Sequence, residues 1–194
     1  MASKGVHWTG RIRGSYVLIQ ALALSLVGAG VAHSQVPPPP ITSSGLNTVV
    51  TTTANVHTIT GGTRPSGGVN LFHSFGDFNV PTSNIANFFN ETALPTSNIL
   101  GRVTGGNPSN IFGSILTEGF PGANLFLMNP AGIVFGPNAS LNVSGAVTFT
   151  TANYLKLTDG RLFNAVPTAA ADALLSTSPV AAFGFLGSNP GTIT

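Results

Sequence analysis

Cysteine is absent from the 194-residue chain, and charged residues are scarce. Without cysteine, neither a disulfide bond nor a thiolate metal site can hold the fold together, so burial and backbone hydrogen bonds must stabilise it. Charged residues make up 6% of the chain, against about 25% in an average globular protein. The surface must therefore be covered mainly by threonine, serine, asparagine and glycine, which suit turns and solvent-facing strand positions.

The first 34 residues have the composition of an export signal. Three basic residues precede an apolar run over residues 16–31, and Ala32-His33-Ser34 follows with small residues at its first and third positions. This order is typical of a secretory signal peptide. The apolar run is shorter than the roughly 20 residues that a membrane-spanning helix needs. We therefore predict a signal peptide over residues 1–34, cleaved before Gln35, rather than a membrane anchor.

Beyond the signal peptide the chain is nearly neutral. Residues 35–194 contain four basic and five acidic side chains, so their formal net charge is −1. Such a composition provides no basic patch that would attract nucleic acid or an anionic membrane. We predict no nucleic-acid partner.

Signatures of catalysis are also missing. The chain has no Gly-x-Ser-x-Gly elbow, no His-Glu-x-x-His motif and no P-loop. After the signal peptide only two histidines remain, His57 and His73, and His73 with Asp77 forms the one pair that could orient a base. An ordinary surface or strand-edge histidine is the commoner interpretation. We predict that the protein is not an enzyme and that it holds no metal or other cofactor.

Short apolar and β-branched runs separated by turn residues follow a proline-rich linker, residues 35–40. This pattern predicts strands. Helical periodicity is confined to residues 168–175, where Thr168 could cap an alanine-rich turn. The pattern predicts an all-β domain over residues 41–194, for which sandwich, barrel and solenoid all remain open. The predicted strand segments include 49–53, 56–60, 69–72, 75–80, 124–128, 132–135, 139–143 and 146–150.

A weak internal repeat favours the solenoid. Pro-Thr-Ser-Asn-Ile occurs at 81–85 and again at 95–99, and Ser-Asn-Ile recurs at 109–111. Such repeats indicate successive strands stacked in the same register. Residues 124–128 are apolar at consecutive positions, which indicates that both faces of that strand are covered. A parallel β-helix with an extra layer over part of its surface fits both patterns, and its predicted core is Ile99, Val103, Ile111, Ile115, Leu125, Leu127, Ile133, Phe135, Leu141 and Val143.

Two Asn-Pro pairs are candidate turns, in Asn107-Pro108-Ser109-Asn110 and in Asn129-Pro130-Ala131-Gly132. Asparagine at the first position of a turn can accept a hydrogen bond from the backbone ahead, and proline at the second position fixes φ for a type I turn. Gly132 permits the return into the next strand. We predict a tight turn at both places.

These motifs and their surroundings resemble the filamentous haemagglutinin N-terminal domain, also called the haemagglutination activity domain or two-partner secretion domain. The similarity rests on NLFLMNPAGIVFG at 124–136, on its continuation at 139–143 and on SNILGRVTGG at 97–106, and it covers residues 41–194. It implies a right-handed parallel β-helix with an N-terminal cap and extra-helical strands. This chain departs from the familiar motifs in two places, with Asn-Pro-Ser-Asn instead of Asn-Pro-Asn-Leu, and with Ala131 where asparagine is common.

The resemblance also implies a function. The domain would be the N-terminal secretion domain of a two-partner secretion exoprotein. It would pass through the periplasm to a cognate outer-membrane transporter barrel with POTRA domains, and from there to the exterior or the cell surface. Asn107, Pro108, Asn129, Pro130 and Gly132 would form the secretion motifs. Because the family's exoproteins are usually far longer and residues 191–194 read as the start of a strand, we expect a truncated solenoid.

Three functions are compatible with these observations. In the preferred one, the unfolded chain offers strands to the POTRA domains by β-augmentation, folds first outside and nucleates later coils. We expect Asn129 to matter more for export than for stability. The alternative is a surface adhesin that contacts host-cell or matrix glycans through a Thr/Asn-rich face. A polysaccharide-degrading β-helix is disfavoured, because carboxylates and basic residues are few and dispersed.

Overall fold

The computed structural model describes residues 40–194, so the predicted signal peptide and its cleavage site lie outside the described residues. This part is nearly all β-structure, with one short helix, α1 (Ala169–Asp172), and a 3-10 turn at Pro65–Gly67. Within it, no helix has the length and apolarity that a membrane span requires. The strands are β1 (Ile41–Gly45), β2 (Thr48–Thr53), β3 (Val56–Gly61), β4 (Asn70–Phe78), β5 (Ile85–Phe89), β6 (Asn98–Val103), β7 (Ser109–Ile111), β8 (Ser114–Glu118), β9 (Asn124–Met128), β10 (Ile133–Phe135), β11 (Ser140–Asn142), β12 (Val147–Thr150), β13 (Tyr154–Leu157), β14 (Leu162–Asn164) and β15 (Val180–Gly184).

The strands wind into a β-solenoid of about three turns with parallel stacking, which confirms the predicted β-helical architecture. In sheet A, β4, β6, β9 and β12 stack in parallel, and in sheet B, β3, β5, β8 and β11 do the same. A short sheet C pairs β7 with β10. Because each coil is too short to bury its own apolar side chains, every coil depends on its neighbours for a core.

Antiparallel strands form the N-terminal cap that the resemblance implies. Strand β1 pairs with β4, and β2 pairs with β3. Ile41 of β1 lies opposite Phe78 and is buried in the solenoid core. The first coil is therefore covered on its N-terminal side by strands that run against the direction of the stack.

An extra-helical layer covers the outer face of sheet A. It consists of the antiparallel sheet D, in the order β14-β13-β15, together with α1. Leu125 and Leu127 of β9 belong to the solenoid core, while Met128 packs outward into a second core with Leu155 and Phe163. The prediction that β9 is covered on both faces is confirmed. The predicted cap is confirmed as well, because Thr168 Oγ1 accepts a hydrogen bond from the Ala171 amide at 3.2 Å.

An ion pair between the buried Arg102 and the partly buried Asp172 joins this layer to sheet A. The guanidinium of Arg102, on β6, donates to both carboxylate oxygens of Asp172, on α1, at 2.7 Å each. Arg102 Nε also donates to Ser74 Oγ at 2.9 Å, and the guanidinium lies 5.1 Å from the centre of the Phe163 ring. A buried charge is tolerated only when it is paired and hydrogen-bonded. The ion pair therefore fixes the position of the extra-helical layer on sheet A.

The predicted core is right except at one position. Leu141 is 46% exposed, which contradicts its assignment to the core. It lies on β11, which is the edge strand of sheet B and pairs only with β8 among the described strands. On an edge strand of the described residues, a side chain has a stacked neighbour on one side only. The other predicted core residues are buried (Ile99, Val103, Ile111, Ile115, Leu125, Leu127 and Ile133) or partly buried against the core (Phe135 and Val143).

Leu141 and Ile115 form a matched pair for comparing an edge strand with an inner strand of sheet B, because they are register partners on adjacent strands. We expect Ile115→Ala to lower the free energy of unfolding by about 2–5 kcal/mol, since it opens a cavity in the core. Leu141→Ala should lower it by less than about 1 kcal/mol. Chemical denaturation followed by far-ultraviolet circular dichroism measures both. Similar losses at the two sites would contradict the stacking described here.

Candidate functional site

The two Asn-Pro pairs lie at one corner of the solenoid, on adjacent coils. Asn107-Pro108 connects β6 to β7, and Asn129-Pro130 connects β9 to β10. Since β6 stacks on β9 and β7 on β10, the two connections stack as well. The side chain of Asn129 joins them, because its Nδ2 donates to the Asn107 carbonyl at 3.0 Å and to Ser109 Oγ at 2.9 Å. We call residues 107–110 and 129–132 the Asn-Pro corner.

The second motif forms the predicted turn. Asn129 Oδ1 accepts from the Ala131 amide at 3.0 Å, and the Asn129 carbonyl accepts from the Gly132 amide at 3.1 Å. Gly132 has φ +123°, and a Cβ atom there would lie 3.1 Å from the Thr192 carbonyl oxygen. Side chains rarely adopt that conformation, so glycine is required at this position.

The first motif does not form the predicted tight turn. The Asn110 amide donates to Asn79 Oδ1 at 3.0 Å instead of closing a turn onto Asn107. The Ser109 amide donates to the Gly132 carbonyl at 3.0 Å, as part of β7. Both neighbouring coils therefore bind the amides that a turn would use, and the chain runs directly into a strand. Asn107 Nδ2 donates to Asp77 Oδ1 of the preceding coil at 3.1 Å.

The two asparagines differ in accessibility. Asn129 is 1% exposed, and all its side-chain hydrogen bonds are made within the corner. Asn107 and Pro108 are exposed, and Pro130 is half-buried. A partner can therefore contact Asn107 on the folded domain, whereas it can contact the Asn129 side chain only before the corner forms.

The supporting residues of the corner were not identified from the sequence. Asp77 and Asn79 belong to the first coil, and Asp77 is 30 residues from the asparagine that it binds. The one relevant signal would have been the length of a coil. Residues about one coil apart, here 30 positions, lie at the same corner of the solenoid. Ser109 was recognised as part of the motif but not as a partner of Asn129.

His73 and Asp77 do not pair. His73 is fully buried, its Nδ1 lies 3.3 Å from Thr48 Oγ1, and its ring stacks on Phe75. The interpretation as a surface or edge histidine is also wrong, because β4 has a paired strand on each side. Burial, with a smaller effect of the positive charge of Arg64, lowers the pKa of His73 to about 3. A residue in this state is a neutral packing residue at physiological pH.

The other histidine of the described residues, His57, also has neutral partners. Burial lowers the pKa of His57 as well, and its ring nitrogens contact Thr52 and Asn84. Within residues 40–194, no group of three histidine, aspartate or glutamate side chains is close enough to hold a metal ion.

His73 makes folding stability depend on pH. Its folded pKa of about 3 lies below the value of 6.5 for a free histidine. Between these pH values the unfolded chain binds a proton that the folded chain does not, so stability is full above about pH 6.5 and falls as the pH decreases. We expect His73 to contribute a loss of about 2 kcal/mol between pH 7 and pH 5. Urea denaturation of the wild type and of His73→Gln at both pH values measures this share, and an equal pH dependence of the two proteins would contradict it.

Comparison with known protein families identifies the family of this chain. The family model for the TPS secretion domain, where TPS stands for two-partner secretion, matches residues 40–194. This range contains every strand of the solenoid and the whole Asn-Pro corner. No curated protein and no solved structure matches the chain. Because the family model covers most of the sequence, the chain belongs to the TPS secretion domain family.

Proposed function

We propose that this domain directs its own chain through a cognate outer-membrane barrel, and that the folded solenoid then nucleates the folding of further coils. The family is a secretion module and not an enzyme family. It implies a two-partner secretion exoprotein, an outer-membrane transporter as partner and secretion across the outer membrane. The route through the periplasm, the POTRA domains of the partner and the location at the cell surface are part of the proposal.

The Asn-Pro corner is the observation that carries the proposed recognition step. In the folded domain the Asn129 side chain forms three hydrogen bonds and is inaccessible to a partner. A transporter that recognises both asparagine side chains must therefore bind them before the domain folds. An Asn-Pro turn forms from local interactions alone, so it is available in an unfolded chain. Strand segments on either side would add to the POTRA domains by β-augmentation.

The stacking of β11, β12 and residues 192–194 supports the proposed nucleation. Strands β11 and β12 are edge strands of sheets B and A among the described residues. Residue Ile193 pairs in parallel with Ile133 of β10, and the Thr194 amide donates to the Ile133 carbonyl at 3.0 Å. All three sides of this coil therefore continue the parallel stack. Unpaired backbone groups on such edges are a template for the next strand.

The export proposal is tested with Asn107→Ala and Asn129→Ala. Each variant should reduce secretion through the cognate barrel on the order of tenfold, as expected when one recognition hydrogen bond is lost. Only Asn129→Ala should also destabilise the folded domain, by about 1–3 kcal/mol, because it removes buried hydrogen bonds. Asn107→Ala should change stability by no more than about 0.5 kcal/mol. Immunoblots of the medium, with and without the barrel, and thermal melts of the purified variants measure these effects.

Asn138→Ala is the matched control, because Asn138 is an exposed asparagine next to a proline in another turn. Its secretion should equal that of the wild type. Normal secretion of both corner variants would reduce the corner to a structural element. Wild-type secretion that does not depend on the barrel would contradict the proposed export itself.

A second candidate function is adhesion to neutral glycans, favoured by a cleft of about 240 Å³ on sheet B. Glu118 and Asn142 line this cleft. The Glu118 carboxylate accepts from Asn87 Nδ2 at 2.7 Å, and its remaining lone pairs can accept from a ligand. Acceptor groups of this kind bind sugar hydroxyls, and since no basic residue lines the cleft, it does not favour anionic glycans.

The adhesion candidate is tested on an array of neutral and sulfated oligosaccharides. Glu118→Gln should weaken binding to a neutral glycan on the order of tenfold, because it removes a charged acceptor. Glu91→Gln is the control, since Glu91 accepts from the Gly61 amide outside the cleft. Failure of the wild type to bind any neutral oligosaccharide would remove this candidate and leave the export proposal untouched.

A further inference from the structure

The outer face of sheet D carries an aromatic ring that packs against a glycine. Tyr154 of β13 lies between Asn164 of β14 and Gly184 of β15, which are its register partners. A Cβ atom at position 184 would overlap the Tyr154 ring, so the ring lies directly on the backbone of β15. Leu155 is buried in the core between sheet D and sheet A, and because neighbouring residues of a strand point to opposite faces, Tyr154 points away from the solenoid. The ring is therefore supported on one side by β15 and remains partly exposed to solvent.

The two exposed basic residues of the described chain belong to the same hairpin as this ring. Lys156 lies two positions after Tyr154 on β13 and therefore points to the same face. Arg161 lies in the turn between β13 and β14 and lines a cleft of about 260 Å³. The other two basic residues between positions 40 and 194, Arg64 and Arg102, use their guanidinium groups for hydrogen bonds within the protein. Within residues 40–194, positive charge is therefore available to a ligand only on this hairpin.

Neither of these two cations has a counter-ion among the described residues. The pair of Arg102 with Asp172 is the only ion pair in residues 40–194. Asp159 belongs to the same turn as Arg161, but its carboxylate accepts a hydrogen bond from the Arg161 amide at 3.1 Å and forms no ion pair with the side chain of Arg161 or Lys156. Charge complementarity at this face therefore favours an anionic ligand.

An acidic sugar matches the chemistry of this face. The face of an aromatic ring carries partial negative charge, which attracts the C–H bonds on one side of a sugar ring. A guanidinium group binds a planar carboxylate through two parallel hydrogen bonds. Residues two apart on a strand are about 7 Å from each other, so a sugar packed on Tyr154 can extend its carboxylate towards Lys156 or Arg161. The hydroxyl of Tyr154 and the amide of Asn164 can exchange hydrogen bonds with the sugar hydroxyls.

We propose that the outer face of sheet D is a binding site for glycans that contain a carboxylated sugar, such as a uronic acid. Tyr154 packs against the sugar ring, and Lys156 and Arg161 bind the carboxylate. Nucleic acid is a poorer match, because its binding requires contacts of many cations with successive phosphates. This site lies on the extra-helical layer, apart from the cleft for neutral glycans on sheet B, and the inference does not depend on the proposed export.

The test is isothermal titration calorimetry of the purified chain with two carboxylated oligosaccharides that distinguish the possible sources of the ligand. Hyaluronan fragments represent animal tissue, and acidic oligosaccharides from the producing bacterium represent its own surface polymer. The wild type should bind at least one of them, and added salt should weaken the binding, because it screens exposed charges. Lys156→Gln and Tyr154→Ala should each weaken it on the order of tenfold, through loss of a charge-assisted hydrogen bond or of the ring contact. Tyr154→Phe keeps the ring and should stay within about twofold of the wild type.

Two control variants make the same change of charge at different places. Asp159→Asn removes a carboxylate from the hairpin itself and should strengthen binding about twofold. Glu91→Gln removes one from the solenoid, after β5, and should leave binding unchanged. Melting temperatures within about 2 °C of the wild type show that Lys156→Gln and both controls are folded.

Failure of the wild type to bind either acidic oligosaccharide would overturn the inference. Equal binding by Lys156→Gln and the wild type would overturn it as well. So would a gain in Glu91→Gln as large as that in Asp159→Asn, because the effect of charge would then not be local to this face. Tighter binding of single-stranded DNA than of either oligosaccharide, lost in the same variants, would assign the face to nucleic acid and would also contradict the proposal.

Discussion

In-register stacking of short parallel strands is the constraint on which the rest of this structure depends. A strand such as β9 buries its inward side chains only because β6 lies on one side of it and β12 on the other. The same register aligns polar residues into ladders, so that Asn98 Nδ2 donates to Asn70 Oδ1 at 2.9 Å and Asn124 Nδ2 donates to Asn98 Oδ1 at 3.1 Å. It also places the two Asn-Pro motifs at one corner. Core, ladder and candidate site are therefore consequences of a single repeat.

The extra-helical layer is the response to a second constraint. Sheet A is apolar on its outer face as well, and an exposed face of that size would bind other chains. Sheet D and α1 cover it, and the ion pair of the buried Arg102 with Asp172 fixes the position of this layer. Removal of Asp172 should be strongly destabilising, because it would leave the buried Arg102 guanidinium without its counter-charge. The position of this layer then determines which apolar residues, Val166 and Leu186 among them, remain at the surface.

The Asn-Pro corner connects folding to the proposed recognition. Before folding, the side chain and the turn of Asn129 are available to a partner. After folding, the same amide joins two coils through the Asn107 carbonyl and Ser109 Oγ. Folding therefore makes the Asn129 side chain inaccessible to a partner.

The sequence by itself determined the strand content, the parallel stacking, the double coverage of β9, the Thr168 cap and the Asn129 turn. These features depend on neighbours along the chain or on a repeated register, and local patterns record both. Tertiary structure alone decided the exposure of Leu141, the extended course of the chain after Asn107 and the burial of His73. It also decided the pairing of Arg102 with Asp172, which lies 70 residues further along the chain. Each of these depends on which strand lies at the edge of a described sheet, on what the neighbouring coils bind, or on which distant segment folds over a sheet, and residue spacing carries no record of these.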